Sequence, residues 1–267
     1  IGRIALARLD AYIIADRRCR EENGYDNDLT NGGDMAGPPV TSLLGVGLYS
    51  IPEAACLAQV PAASIRRWLF GYSYQRDDQR HELPPVVTRE IEAGSRYRFV
   101  TFHDLIEIQF VHAFRVHGVS WKHLRLASAK ARNLLHTSHP FSTQRFSTDG
   151  REIFAEIAHG TSERALLSLA REQYVFRTVI QPSLRAALEY QDGDLARWWP
   201  LGPRNKTIVV DPDRQFGRPI VAGAGVPTAV LAHASQAYGS ASRVAAWFDV
   251  HPKAVRAAVA FEQRLAA

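Results

Sequence analysis

The hydrophobic and polar positions that follow residue 48 predict two short helices joined by a tight turn. Ser50 stands where it can cap the first helix, Pro52 suits its first turn and Glu53 lies three residues after the cap. The apolar spacing breaks at Val60-Pro61 and resumes at helical period in 64–70. Two short helices with such a turn are typical of a helix-turn-helix.

The next segments predict a wing-like region and two longer helices. Residues 71–95 are polar and contain two adjacent prolines, which indicates an extended loop or hairpin, and 97–100 alternate like a short strand. Thr101 is placed to cap a long helix that runs to Gly118. A second helix is predicted from Ser120 to about Leu135.

The remaining chain mixes strand and helix patterns. An Asp-Gly turn predicts a hairpin over 145–154, helical spacing follows in 162–179, and 184–200 and 206–210 are partly strand-like. A glycine-rich connection over 216–226 precedes three predicted helices at 227–238, 240–248 and 252–265. The predicted fold is mainly α (α+β): a winged helix-turn-helix at 49–135, a mixed central region with a β-hairpin at 136–205, and a small three-helix domain at 206–267.

Residues 1–48 are predicted to be a leader or a flexible arm. Met35 is the only methionine, and it follows Gly32-Gly33-Asp34, whose codons are purine-rich like a ribosome-binding site. The hypothesis is therefore that Met35 is the native start. The alternative is a genuine arm, because Ile4–Arg20 carries apolar residues at helical spacing.

Composition favours an anionic partner and a reducing compartment. The net charge of +5 is concentrated in two blocks, with 12 basic against 8 acidic residues in 49–135 and 7 against 4 in 206–267. No apolar run is long enough for a membrane span, and the N-terminus lacks a signal-peptide pattern. The two cysteines, Cys19 and Cys56, lie far apart, so we expect a cytoplasmic protein without disulfides.

The sequence offers weak grounds for catalysis or metal binding. It has no dinucleotide fingerprint, P-loop, nucleophile elbow or kinase motif, and its acidic residues are scattered. His136 and His139 are three apart, and His103 lies near Asp104 and Glu107, yet packing or surface roles are commoner for such histidines. We therefore expect no enzyme activity, no cofactor and no metal.

Two stretches resemble the MerR-type winged helix-turn-helix. They are Tyr49–Ala55 continuing through Ser64-Ile65-Arg66-Arg67-Trp68, and Tyr97-Arg98-Phe99 followed by the long helix to His117-Gly118-Val119-Ser120. The second stretch is similar to that family's wing strand and its following helices. The segment between them, 71–96, is longer than a standard wing.

The C-terminal part resembles a small helical family of unknown function found in VapB-like antitoxins. The resemblance rests on Ile208–Pro212, Phe216–Val221, Val226-Pro227-Thr228 and the helical tail to Glu262. Taken together, 49–264 resembles the long two-domain VapB-like antitoxins. The resemblance implies an antitoxin of a type II toxin–antitoxin pair that binds operator DNA, represses its own operon as a homodimer, and neutralises a PIN-domain ribonuclease.

The candidate DNA contacts lie on the second helix and on the strand that resembles a wing. A recognition helix places its exposed N-terminal residues in the major groove, where arginine reads guanine. We assign Arg66 and Arg67 to bases or phosphates and Ser64 to phosphate, and Arg96, Tyr97 and Arg98 to the backbone from the wing. The alternative is that Arg66 and Arg67 are only a solvated helix face.

The candidate partner contact is the patch formed by Arg197, Trp198, Trp199 and Arg204, because Trp and Arg dominate interface hot spots. The alternative is that the two tryptophans are core residues. The segment 240–261 also resembles a helix-turn-helix, which predicts a second DNA surface or a dimer or toxin contact, although a plain three-helix packing module explains it equally well. Besides an antitoxin, the sequence allows a stand-alone MerR-like regulator and, third, an enzyme whose site forms only in three dimensions.

Overall fold

The computed structural model describes residues 45–91, 98–146 and 184–266. Residues 1–44 of the leader or arm predicted over 1–48, residues 147–154 of the hairpin predicted at 145–154 and the helix predicted at 162–179 lie outside the described residues, as do Arg96 and Tyr97. The described ranges combine helices with small antiparallel sheets, which confirms the predicted α+β class.

The N-terminal helices follow the predicted order, whereas the strand that precedes them was not predicted. The N-terminal elements are β1 (Leu48–Ser50), α1 (Ile51–Ala58), α2 (Ala62–Phe70), β2 (Tyr72–Arg76), β3 (Gln79–Leu83), β4 (Phe99–Thr101), α3 (Phe102–Val116) and α4 (Trp121–Leu135). A 3-10 turn at Pro140–Ser142 follows α4. The C-terminal elements are β5 (Leu188–Gln191), β6 (Asp194–Trp198), β7 (Ile208–Val209), β8 (Ile220–Val221), α5 (Thr228–Tyr238), α6 (Ala241–Phe248) and α7 (Pro252–Leu265).

The start of α1 is fixed by the predicted capping box. The Ser50 hydroxyl accepts from the Glu53 amide, and the Glu53 carboxylate accepts from the Ser50 amide at 2.7 Å, so two otherwise unpaired helix donors are satisfied. The helix ends at Gln59, whose φ of 54° is left-handed. Pro61 then leads directly into α2.

The long helix α3 begins with a second capping box. The Thr101 hydroxyl accepts from the Asp104 amide, and the Asp104 carboxylate accepts from the Thr101 amide. Because Thr101 pairs with Leu48 and Ser50 pairs with Phe99 in an antiparallel ladder, α1 and α3 begin at opposite ends of the β1–β4 pair. The predicted cap and helix are confirmed.

The C-terminal connection is more ordered than predicted. The glycine-rich segment 216–226 was predicted to be plain connection, which is wrong for Ile220 and Val221, because they pair with Val209 and Ile208 as β8. The predicted strand character of 184–200 is confirmed by the β5–β6 hairpin. The three predicted C-terminal helices are confirmed with bounds within one residue.

One hydrophobic core joins the helix-turn-helix to much of the later chain. It contains Ile65 and Leu69 of α2, the inner face of α3, and also Trp198, Ile208 and Phe261. The helices α5, α6 and α7 pack around a second cluster centred on fully buried Leu231, Val244 and Val255. Contacts of the first core therefore cross the predicted boundary between residues 205 and 206.

Candidate nucleic-acid interface

Helix α2 presents a cationic face to solvent. Its buried side is Ile65, Trp68 and Leu69, which are all less than a tenth exposed, while Arg66 and Arg67 are exposed and Ser64 is half-buried. The 3.6-residue period separates these two sides. The predicted orientation of the helix is confirmed, and its solvent side is open to a ligand.

A β-hairpin directly follows α2. The turn between them requires Gly71, whose φ is +71°, and a Cβ there would lie 2.5 Å from the Leu83 carbonyl oxygen. Strands β2 and β3 pair in register from Tyr72↔Leu83 to Arg76↔Gln79. The two connecting residues, Asp77 and Asp78, both have positive φ, as a type I′ hairpin turn demands.

This hairpin is separate from the strand predicted at 97–100. That strand is β4, which pairs with β1, and the wing role predicted for it stays a prediction. The side chains of Tyr72 and Tyr74 on β2 are about two-fifths exposed. The hairpin therefore adds aromatic surface beside the α2 face.

The side chain of Arg98 lies beside the C-terminal end of α2. Its guanidinium lies 4.8 Å from the centroid of the Phe70 ring at the end of α2. Arg89 lies at the same distance from the same ring. Cation–π attraction of this kind holds both charges at the end of the candidate recognition helix.

Helix α4 supports the interface from behind. The Ser128 hydroxyl donates to the Val86 carbonyl at 3.3 Å, and Arg132 donates to the Thr88 hydroxyl at 2.7 Å. The Val86 amide in turn donates to the Trp68 carbonyl at 2.8 Å. The segment after the hairpin is thus tied both to α4 and to α2.

The sequence interpretation missed three residues of this surface. Arg89, Tyr72 and Arg125 lie beside α2, although 71–95 was read only as a loop or hairpin and Arg125 as part of an ordinary helix. The alternation in Tyr72-Ser73-Tyr74, followed by two aspartates, was the available signal for the hairpin. Nothing local in the sequence pointed to Arg125, because α4 is far from α2 along the chain and lies beside it only in the folded protein.

Comparison with known protein families supports the assignment of a DNA-binding helix-turn-helix to the N-terminal region. Residues 47–128 match the family model described as "Putative DNA-binding HTH domain". They include α1, α2, the hairpin, α3 and the first half of α4. Residues 208–261 match the model of a family of proteins of unknown function, DUF433.

Two relatives span most of the chain. "Putative antitoxin VapB45" of Mycobacterium tuberculosis is 27% identical over 239 residues, which cover 84% of this chain and 98% of the relative. The X-ray crystal structure of Rv2018 from Mycobacterium tuberculosis superposes with a TM-score of 0.61 at 22% identity, covering 81% of this chain and 99% of that one. Over most of its length the chain is therefore similar in sequence to a protein named as a putative antitoxin, and the crystal structure shares its fold.

A buried polar network lies behind the helix-turn-helix. One oxygen of Asp104 accepts from the Glu90 amide at 3.1 Å and lies 2.7 Å from Nε2 of His139. His103 lies 3.4 Å from the Glu90 carboxylate. Across the described ranges, no three His, Cys, Asp or Glu side chains stand where they could share a metal ion.

The pair of Glu90 and His103 shifts both of their pKa values. Burial alone raises the pKa of Glu90, but hydrogen bonds from His103 and Thr101 outweigh it and lower that pKa. Burial likewise lowers the pKa of His103, but the hydrogen bond to Glu90 outweighs it and raises that pKa. The pair thus favours its charged form and anchors the segment after the hairpin to α3.

The predicted partner patch is corrected by burial. Trp198 and Trp199 are 7% and 9% exposed, so the two rings form part of the interior of this chain and do not form a surface patch. The Trp199 indole donates to Glu189 at 2.9 Å, and Arg197 donates to Asp211 at 2.8 Å. Arg204, in contrast, is exposed.

No helix in the described ranges has both the length and the apolar character needed to cross a bilayer.

Proposed function

We propose that this chain is the antitoxin of a type II toxin–antitoxin pair. In this proposal α2 enters the major groove of operator DNA, a homodimer represses its own operon in the cytoplasm, and the chain neutralises a PIN-domain ribonuclease. The similarity to "Putative antitoxin VapB45" over 84% of the chain supports the antitoxin role. The match of 47–128 to a DNA-binding domain family supports the DNA role.

The observation that carries the DNA proposal is the open face of α2. Arg66 and Arg67 project from a helix whose opposite side is fixed in the core by Ile65 and Leu69. A rigid helix with two exposed arginines can bring paired donors to guanine in the major groove or to a neighbouring backbone phosphate. Arg89 and Arg98 add positive charge at the end of the same helix and can contact phosphates.

A gel shift tests this role. The DNA is the region upstream of the gene, and the variant carries Arg66→Ala and Arg67→Ala together. We expect its affinity to fall at least tenfold, since each base-reading arginine contributes about 1–3 kcal/mol. The control carries Arg204→Ala and Arg214→Ala, which remove the same charge from exposed positions outside both 49–135 and 240–261. Equal affinity of the two double variants would refute the assignment of α2.

The neutralising role needs a surface for the toxin. With the Trp198 and Trp199 rings inside the protein, the exposed candidates are Arg204 and an aromatic pair on α5 and α6. That pair is Tyr238 and Trp247, which are 43% and 57% exposed with ring centroids 4.4 Å apart. Exposed aromatic rings of this kind are typical anchors of protein interfaces.

Co-expression with the neighbouring gene product tests the toxin role. A stable complex that suppresses ribonuclease activity would support the antitoxin proposal. The proposal also holds that the chain itself catalyses no reaction, so purified chain alone should leave RNA intact.

A stand-alone MerR-like regulator is the second candidate. It is favoured by the hairpin that follows α2 at the position of a wing, together with the long helix α3 and the helix α4 after it. Sequence-specific DNA binding without any co-purifying toxin would favour this candidate over the antitoxin.

A further inference from the structure

A small cavity opens between α2 and α4 at the base of the hairpin. Its volume is about 120 Å³, and it is lined by Ser64, Arg67, Trp68, Tyr72, Trp121 and Arg125. Pockets that enclose drug-sized ligands measure roughly 300–1,000 Å³. This cavity is therefore suited to a small ion or to one group of a larger molecule.

The cavity is cationic. Two arginines, Arg67 and Arg125, and Ser64 line it, and none of the described residues that line it is acidic. Arg67 lies 5.7 Å from the Tyr72 ring centroid, and Arg125 lies 5.7 Å from the Trp121 ring centroid. Neither guanidinium forms an ion pair with a carboxylate of the described residues, so both charges remain available to an anion.

One donor of the Arg125 side chain lacks an acceptor. Nε of Arg125 is buried and has no hydrogen-bond partner in the described part of the chain, while the other end of its guanidinium donates to the Pro84 carbonyl at 3.5 Å. A buried unsatisfied donor on a charged group destabilises the fold. The described residues therefore leave part of the donor capacity of this guanidinium unused.

We propose that this cavity binds a phosphate-class oxyanion through Arg67, Arg125 and Ser64. The proposal has two possible sources of the oxyanion. The first rests on the proposed function and deepens it: a backbone phosphate of bound duplex DNA occupies the cavity while α2 lies in the groove. Guanidinium groups bind phosphate oxygens through paired donors, and a serine hydroxyl adds a third donor. The same chemistry admits a second source, a free phosphorylated molecule that competes with DNA.

The DNA arm pairs one arginine with one phosphate. A duplex selected by the protein from a random pool is synthesised with a neutral methylphosphonate at each backbone position in turn. We expect one substitution to weaken wild-type binding about tenfold and to have no further effect on Arg125→Met, because both changes remove the same contact. Lys122→Met is the matched control: Lys122 lies on α4, is exposed and does not line the cavity.

The free-anion arm uses inorganic phosphate without DNA. Trp68 and Trp121 line the cavity, so its occupation should change tryptophan fluorescence when phosphate replaces chloride at constant ionic strength. The change should be lost in Arg125→Met and kept in Lys122→Met. Arg125→Lys retains the charge and should recover part of the binding, which separates lost recognition from lost folding.

The outcomes separate the two proposals. Coupling between Arg125 and one phosphate supports DNA as the source, and a phosphate-specific fluorescence change that depends on Arg125 supports a free oxyanion. Wild type that binds DNA normally but gives neither signal overturns the cavity proposal and leaves the DNA role intact. If wild type binds no duplex, the DNA role is refuted. The fluorescence experiment then decides alone whether the cavity binds an oxyanion, and no fluorescence change with phosphate overturns the cavity proposal.

Discussion

The Tyr49 hydroxyl donates a 2.7 Å hydrogen bond to the backbone carbonyl of Gly217, 168 residues further along the chain. Tyr49 is 2% exposed, and burial raises the pKa of its hydroxyl, with the nearby Glu53 and Asp211 carboxylates adding to the effect. Gly217 has a φ of +78°, and a Cβ there would overlap the Tyr49 hydroxyl. This contact joins the first strand of the helix-turn-helix to the C-terminal part of the chain.

Tyr49→Phe should destabilise the protein by about 1–3 kcal/mol, because it leaves the buried Gly217 carbonyl without its donor. Gly217→Ala should cost more, since it adds both overlap and backbone strain. Urea unfolding measures both changes. Tyr72→Phe is the control, since Tyr72 is 40% exposed and should change stability by less than about 0.5 kcal/mol. Equal losses for the two tyrosine variants would contradict the contact.

Local signals explain why the helices could be predicted. Ser50 and Thr101 are cap residues followed three positions later by a carboxylate, and the apolar period after each fixes which side of the helix is buried. These features act within a few residues of one another. The solvent-facing position of Arg66 followed from the same period.

Long-range contacts could not be predicted in the same way. The pairing of Tyr49 with Val100 and the approach of Arg89 to Phe70 depend on how distant segments meet. The position of Trp199 depends on Glu189, which accepts its indole hydrogen across the β5–β6 hairpin. The neighbouring tryptophans and arginines resembled an interface in the sequence, whereas the fold packs Trp198 into the main hydrophobic core and Trp199 against Val209 and Ile220.

The alanine variants of Arg66 and Arg67 should weaken DNA binding in different ways. Arg66 is exposed and makes no hydrogen bond or ion pair with the described residues, so it is available to read a base. Arg67 lies over Tyr72 beside the cavity, where a phosphate contact is expected. Arg66→Ala should therefore cost about 1–3 kcal/mol on the preferred sequence and relax specificity there.

Arg67→Ala should weaken binding to preferred and random duplexes alike and lower the salt slope by about one. Fluorescence anisotropy with both duplexes over a salt series measures these quantities. Lys122→Met serves as the charge control. A salt slope that falls equally for Arg66→Ala and Arg67→Ala would contradict the division of roles.

Glu107 should make the stability depend on pH. This carboxyl is 2% exposed, and burial raises its pKa from 4.5 to about 8, although the Ser142 and Phe141 amides act in the opposite direction. Between pH 4.5 and 8 the unfolded chain releases this proton and the folded chain keeps it. The Glu107 contribution to stability is therefore fully present below pH 4.5 and is lost as pH rises towards 8, at up to about 1.4 kcal/mol per pH unit.

Glu107→Gln removes this titration while its amide oxygen can still accept from Ser142, which donates at 3.0 Å. The variant should match wild type near pH 5 and exceed it by about 2–4 kcal/mol near pH 8. Chemical unfolding at several pH values measures the difference. Glu82→Gln is the control, since the Glu82 side chain is 74% exposed and its change should not alter the pH slope. A stability difference between Glu107→Gln and wild type that is the same at both pH values would count against a neutral Glu107.

Arg197 and Arg204 should separate stability from partner binding. Arg197 donates to Asp211 at 2.8 Å and to Glu189 at 3.3 Å, and the Asp211 side chain is only 3% exposed. Arg197→Ala should destabilise the chain by about 1–3 kcal/mol, because Asp211 then keeps a buried charge with the Asp213 amide as its one donor among the described residues. Arg204 is exposed, so Arg204→Ala should change unfolding by less than about 0.5 kcal/mol.

The two variants should rank in the opposite order when the proposed toxin is added. If Arg204 contacts the partner, Arg204→Ala shortens the lifetime of the complex although the variant chain itself is as stable as wild type. Arg197→Ala, in contrast, should bind the partner in proportion to the fraction of the chain that is folded. Urea unfolding and surface-immobilised binding to the co-expressed ribonuclease give the two readouts. Unchanged binding by Arg204→Ala would exclude this residue from the interface. The Tyr238–Trp247 pair would then be the surface to test, because the other predicted contacts are unavailable: the Trp198 and Trp199 rings are interior, and Arg197 is held in ion pairs.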